Sequence, residues 1–234
     1  MSNQMYERAV LDMKRGDVNG DRIQDTIYLT GSKAFPDSPF YEKITLWVHD
    51  GRTGKRTEIP LKTNMGYHPT LFLGDFTKDR VDDILIRMDS GGSGGMSYDY
   101  IYSFLNNQPN KLFDYEVFNN QDSYEVTYLD GYKARVKNKN SGDSFIIDLQ
   151  YKGKEYLSEI YDQNGKLKQP ISGWVNPLGE VYPVDFQRDG TYELLTYQRI
   201  AGRYNADGIG LLNTYLEWKN GKFAPYNQTV SIFG

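Results

Sequence analysis

The chain has 234 residues, 38% hydrophobic and 15% aromatic, with a formal charge of −4, a size at which all-β folds often remain one undivided domain. Its acidic balance and the lack of any Lys/Arg run argue against a nucleic-acid partner, while the absence of cysteine removes disulfides, thiolate metal sites and a cysteine nucleophile. No stretch approaches the ~18 apolar residues of a membrane span, so no membrane insertion is expected; residues 1–15 also lack the basic start and apolar middle of a signal peptide.

From the N-terminus, a strand-like run over residues 5–13 leads to Asp17-Val-Asn19-Gly-Asp21-Arg-Ile23-Gln-Asp25 and then to the β-prone Thr26-Ile-Tyr-Leu29. The pattern returns as Asp75-Phe-Thr77-Lys-Asp79-Arg-Val-Asp-Asp83 before Ile84-Leu-Ile-Arg87. A third copy is Asp185-Phe-Gln187-Arg-Asp189-Gly-Thr-Tyr-Glu193 before Leu194-Leu-Thr-Tyr197. The second gap between copies is close to twice the first, so another copy is expected near residue 130. A decayed one stands there: Tyr128-Leu-Asp130-Gly-Tyr132-Lys-Ala134 keeps the first Asp and loses the other ligand types.

After each loop the order is a strand, a polar connection, an aromatic-rich strand and a turn before lysine, which reads as hairpins. The aromatic-rich strands are Ile44–Val48, Tyr100–Phe104, Tyr156–Tyr161 and Tyr215–Trp218. Four units of about 55 residues are expected, over 17–74, 75–129, 130–184 and 185–234. The strand at 5–13 supplies the one that the last unit lacks, so the expected fold is a single all-β domain, a four-bladed β-propeller-like ring closed by its N- and C-terminal strands. An open stack of hairpins or a sandwich uses the same strands.

Hard oxygen ligands at alternate positions of a tight loop suit calcium. Positions 1, 3, 5 and 9 supply Asp17, Asn19, Asp21 and Asp25, with the backbone carbonyl of Ile23 at position 7; the second loop supplies Asp75, Thr77, Asp79 and Asp83, and the third Asp185, Gln187, Asp189 and Glu193. The first loop ranks highest, because Asn19 offers a carbonyl oxygen. An EF-hand needs helical flanks and Glu at position 12, where Tyr28 stands in a predicted strand. Acidic β-turns without metal remain the alternative, since Asp, Asn and Gly favour turns for backbone reasons.

Gly16-Asp17-Val-Asn19-Gly-Asp21 and Gly74-Asp75-Phe, each running into a strand, resemble the FG-GAP/VCBS repeats of integrin-like β-propellers. The resemblance implies calcium at the loops, a secreted or cell-surface setting, and a non-enzymatic module that recognises a protein or a glycan. The sequence departs from that pattern at position 6, where Arg22 and Arg80 replace the usual glycine.

Gly91-Gly-Ser93-Gly-Gly95 fits G-x-S-x-G, but a strand pattern follows instead of a helix, and His49 and His68 are the only histidines. A hydrolase of esters or polysaccharides with structural calcium is therefore the alternative function. The connections 89–95 and 198–207 are expected to form an exposed face, with Asp99, Arg199, Arg203 and Tyr204 available to a ligand.

Overall fold

A computed structural model describes residues 8–232 of the chain. The fold is all-β: fifteen strands among the described residues form an eight-stranded sheet (β1–β8) and a seven-stranded sheet (β9–β15), with two short helices. The first sheet holds β1 (Ala9–Gly16), β2 (Asp25–Lys33), β3 (Phe40–His49), β4 (Arg56–Pro60), β5 (Gly66–Gly74), β6 (Asp83–Asp89), β7 (Ser97–Ser103) and β8 (Asn110–Asp114). The second holds β9 (Tyr124–Leu129), β10 (Lys133–Asn138), β11 (Ser144–Asp148), β12 (Ser172–Val184), β13 (Glu193–Ala201), β14 (Gly208–Lys219) and β15 (Lys222–Ser231). Helices α1 (Tyr115–Asn119) and α2 (Gly153–Ile160) lie in the connections.

Every described strand pair is antiparallel, and the chain runs as four meanders: β1–β4, β5–β8, β9–β11 and β12–β15. β3 joins the first two through Tyr41↔Gly66, and β12 joins the last two through Gly173↔Val126. In β2 the buried and half-buried positions alternate strictly, as a strand with one face on the core requires. The larger apolar core takes residues from the first, second and fourth meanders; the smaller fills the space between the third meander and β13–β14.

The expected four-bladed ring closed by terminal strands is not observed. β1 pairs with β2 and β15 with β14, because the strand before each Asp-rich loop folds back on the strand after it. Residues 5–7 of the expected first strand lie outside the described residues. The expected strand Tyr156–Tyr161 is instead mostly helix α2. Its apolar residues Tyr156, Leu157, Ile160 and Tyr161 recur with the spacing of one helical face.

Each Asp-rich loop connects the first two strands of its meander in the same register: Gly16↔Asp25, Gly74↔Asp83 and Val184↔Glu193. Successive loops are stitched together by a repeated bond from position 8 of one loop to position 1 of the loop before it. Asp82 N–H donates to Asp17 O (3.1 Å) and Tyr192 N–H to Asp75 O (2.8 Å). The second of these bonds ties the two sheets together, beside an aromatic cluster in which Tyr192 meets Phe72 (5.0 Å) and Phe76 meets Phe223 (6.2 Å).

This stitching explains the glycine before the first two loops. A Cβ on Gly16 would lie 2.5 Å from Asp82 Oδ2, and one on Gly74 2.7 Å from the Tyr192 ring. The third loop follows Val184 and has no such successor pressed against it. Gly74→Ala should therefore destabilise the protein by about 1–3 kcal/mol, the usual cost of overpacking, and by more than Gly16→Ala, whose neighbour is the movable end of a carboxylate. Urea denaturation of both variants measures the difference, and equal midpoints would refute it.

Candidate metal loops and their surroundings

The three loops are built alike. The position 1 carboxylate accepts from amides of its own loop: Asp17 from Gly20, Asp21 and Arg22, Asp75 from Lys78, Asp79 and Arg80, and Asp185 from Asp189 and Gly190. Position 5 accepts from the amide of position 7, as in Ile23 to Asp21 (2.8 Å), Val81 to Asp79 (2.9 Å) and Thr191 to Asp189 (2.9 Å). Position 9 is buried, and accepts from the amide of position 2 at 3.1 Å in every copy, Val18 to Asp25, Phe76 to Asp83 and Phe186 to Glu193.

This winding needs a left-handed backbone at positions 4 and 6. Gly20 (φ 84°), Lys78 (68°) and Arg188 (56°) supply the first, and Arg22 (65°), Arg80 (67°) and Gly190 (85°) the second. Non-glycine residues are uncommon in that region, so four of these six positions hold a strained conformation, which the carboxylate at position 1 stabilises by accepting the amides that it aligns.

The loops differ in what occupies their oxygens. In the first, Asn19 Oδ1 accepts from Asp21 N–H (3.0 Å), Asn19 Nδ2 faces Asp25 (3.4 Å) and Asn107 (3.5 Å), and the Arg52 guanidinium binds Asp21 Oδ2 at 2.6 Å. Ile23 is exposed. In the third, Gln187 Nε2 donates to Glu193 Oε1 (3.2 Å). In the second, Thr77 Oγ1 is buried and has no hydrogen-bond partner among the described residues. Burial pushes the neighbouring Asp83 up to about 7; the Phe76 amide and the nearby Thr77 hydroxyl offset part of that rise, and Asp79 and Asp75 add to it. Thr77 is close enough to influence Asp83 but lacks the geometry of a bond. Asp82 at position 8 of this loop is also raised, by burial and then by Asp17 and Asp75. Among the described residues, no three carboxylates or imidazoles converge closely enough to form a preassembled metal cage.

The two connections expected to form a face do meet. Asn205 Nδ2 donates to Ser93 Oγ (3.3 Å) and Asn176 Nδ2 to Gly94 O (3.3 Å), so the glycine-rich loop of the second meander is clasped by the fourth. Ser93 has no hydrogen bond with either histidine among the described residues; His68 Nδ1 is bonded to Asp89 (2.9 Å). No hydrogen bond links the four expected ligand residues to one another among the described residues. Tyr204 is 57% exposed, and Arg199 donates to Ala206 O (3.0 Å). Arg203 binds Glu159 (2.6 Å) and flanks Asp207. Asp207 also takes Lys152 Nζ (3.0 Å) and the Tyr156 hydroxyl (2.8 Å). Burial would raise Asp207, but the Arg203 amide, Lys152 and Tyr156 hold it below the usual carboxylate range. That network, which sequence reading missed, fixes α2 against the connection between β13 and β14.

A protein of Bacillus subtilis (strain 168) named "Uncharacterized protein YybI" is 51% identical over 227 residues, which cover 97% of this chain and 86% of the relative. The chain belongs to the YybI family. The YybI C-terminal domain matches residues 122–231, and these bounds coincide with the second sheet, β9–β15. No solved structure matches the chain. The resemblance to FG-GAP/VCBS repeats is thereby corrected, since the matching family is YybI. The shared feature was a short ligand spacing, which loop chemistry alone can produce. The secreted or cell-surface setting rested on that resemblance and loses its warrant. Among the described residues, no helix is long and apolar enough to cross a membrane.

In this YybI-family chain Asp99 sits fully buried on β7 at the junction with β12, and its Oδ1 has no partner among the described residues. Ser97 bonds its other oxygen. Arg87, paired with Asp99 across β6 and β7, reaches instead to Val181 O (3.1 Å) and lies over the Tyr182 ring (5.4 Å). Burial pushes Asp99 up to about 7, against smaller lowering effects of Ser97 and Arg87. With the folded value above the unfolded one, the unfolded chain releases this proton first, so stability from this group falls as pH rises from about 4 to 7. Asp99→Asn should flatten the decline of stability over that range, and unfolding midpoints at pH 4, 5.5 and 7 test it; a decline as steep as in the parent would refute it.

Proposed function

We propose that this protein is a non-catalytic binding scaffold whose second Asp-rich loop takes a calcium ion, with the four meanders serving as propeller-like blades that present connecting loops to a protein or glycan partner. The observation that carries the metal assignment is the buried, unbonded Thr77 Oγ1 beside the buried Asp83. A hard divalent cation would use the hydroxyl oxygen and relieve the mutual repulsion of Asp75, Asp79 and Asp83. Position 5 of this loop accepts a single amide bond, which leaves carboxylate lone pairs free.

The reading reverses the sequence-based ranking. In the first loop Arg52 already supplies a positive charge to Asp21, and Asn19 is spent on neighbouring groups; in the third, both carboxylate oxygens of Glu193 already accept, one from the Phe186 amide and one from Gln187 Nε2. The partner face is assigned to the seam where the glycine-rich loop meets Asn176 and Asn205, because Trp174 on β12 and Tyr204 in the β13–β14 connection stand exposed at 39% and 57%. The Trp174 indole N–H is held by Asn176 (2.7 Å), so its ring is presented in a fixed orientation.

At calcium about a hundred-fold above its Kd, linkage predicts ~2.7 kcal/mol of stabilisation, or roughly 5–10 °C in Tm for a chain of this size. Chelator should reverse the shift, Asp79→Asn should abolish most of it, and Asp21→Asn should leave it. Differential scanning fluorimetry of the three proteins decides the matter: an absent shift refutes calcium binding, and a shift lost with Asp21→Asn alone refutes the choice of loop.

A further inference from the structure

The third meander departs from the others in two places, and both departures line one groove. Its Asp-rich loop is cut to Asp130-Gly131-Tyr132 between Leu129 and Lys133, and α2 with the turn after it stands where the others continue as strand. The groove has a volume of about 520 Å³ and is lined by Tyr132, Leu157 and Tyr161, with Lys154, Ser158 and Lys168 among the polar residues. That volume lies within the range of roughly 300–1,000 Å³ usual for small-molecule sites.

Tyr132 is a bulky residue at φ 63°, a conformation that persists only where the surroundings enforce it. Here they do: its ring stands edge-on to Tyr161 at 4.9 Å and 70°, and lies against Gly165. Tyr161 is buried and anchored through its hydroxyl to Lys133 O (3.2 Å). A tight turn alone is served better by glycine or asparagine, so a tyrosine at this position points to the use of its ring. The result is a rigid aromatic wall continuous with Leu157.

The charge at the groove is positive, although the chain carries −4 in total. Lys154 has no hydrogen bond or ion pair among the described residues, and Lys168 Nζ donates to Ser158 O (2.6 Å), which leaves further donors on its ammonium group. The one acid of the lining, Asp162, is turned onto its own hairpin, where Oδ1 accepts from Asn164 and Lys166 amides at 2.8 Å each.

We infer that this groove binds a small carboxylate with a flat aromatic body, its ring against Tyr132 and Tyr161 and its carboxylate at Lys154 and Lys168. The site is separate from the Asp-rich loops and does not depend on a cation there.

An NMR titration of the full chain with 3-phenylpropionate, 3-phenylpropylamine and 3-phenylpropan-1-ol tests it. The carboxylate should produce saturable shifts in amides around Tyr132 and Leu157–Tyr161, and should bind more tightly than the alcohol or the amine. Lys154→Met should weaken it about three- to five-fold, the size of an exposed ion pair. Tyr132→Gly, which tolerates the left-handed backbone, should abolish the shifts. Binding of the amine as tight as that of the acid, shifts confined to other surfaces, or undiminished binding by Lys154→Met would each overturn the inference; the last variant keeps the test decisive if Tyr132→Gly fails to fold.

Discussion

A buried carboxylate at the mouth of a hairpin must be satisfied, and in this fold the loop that precedes it supplies the donor. Asp25, Asp83 and Glu193 each sit opposite the last residue of the preceding strand, at no more than 2% exposure, and each accepts from the amide of position 2 at 3.1 Å. A buried acid left without such a donor carries a large desolvation penalty. The bond fixes the winding that presents position 8 to the preceding loop; position 2 packs into the larger core in the first two loops, as Val18 and Phe76, and is exposed in the third, as Phe186. The joint between the sheets at Tyr192 and Asp75 is thus an outcome of how each loop satisfies its own acid.

Much of this arrangement is legible in the sequence, and for physical reasons. The alternating run Thr26–Leu29 specifies a strand with one face on the core, and the continuous apolar run Ile84–Ile86 one buried on both faces. The three nonapeptides fold alike because the same residue types at the same spacing offer the same acceptors to the same amides. What stayed hidden depends on contacts between distant segments. Arg52 belongs to another turn, yet it neutralises Asp21; Asn107, Asn176 and Asn205 carry no pattern that announces their partners. The closure of the ring was misjudged because the strand before each loop can be assigned to the unit on either side, and only register assigns it. The helix α2 was misread although its apolar spacing was helical, since the repeat argued for a strand there.

The spread of charge also sets the third meander apart from the other three. Acidic groups gather around the three stitched loops, and burial holds Asp83 and Asp82 above their ordinary values there. In the third meander the loop is absent, and lysines border an aromatic groove. The turn there is only Asp130-Gly131-Tyr132 between the paired Leu129 and Lys133, and its Tyr132 ring meets Tyr161.

The central claim is that the second loop has an opening for a hard cation, whereas Arg52 already binds Asp21 in the first and Gln187 already binds Glu193 in the third. Crystals grown with calcium, with anomalous scattering recorded, test it most directly. The account predicts a peak about 2.3–2.6 Å from oxygens of Asp75, Thr77 and Asp79 and none of equal height beside Asp21 and Arg52. Density showing the Thr77 hydroxyl still unbonded, with no peak next to it, would contradict the account.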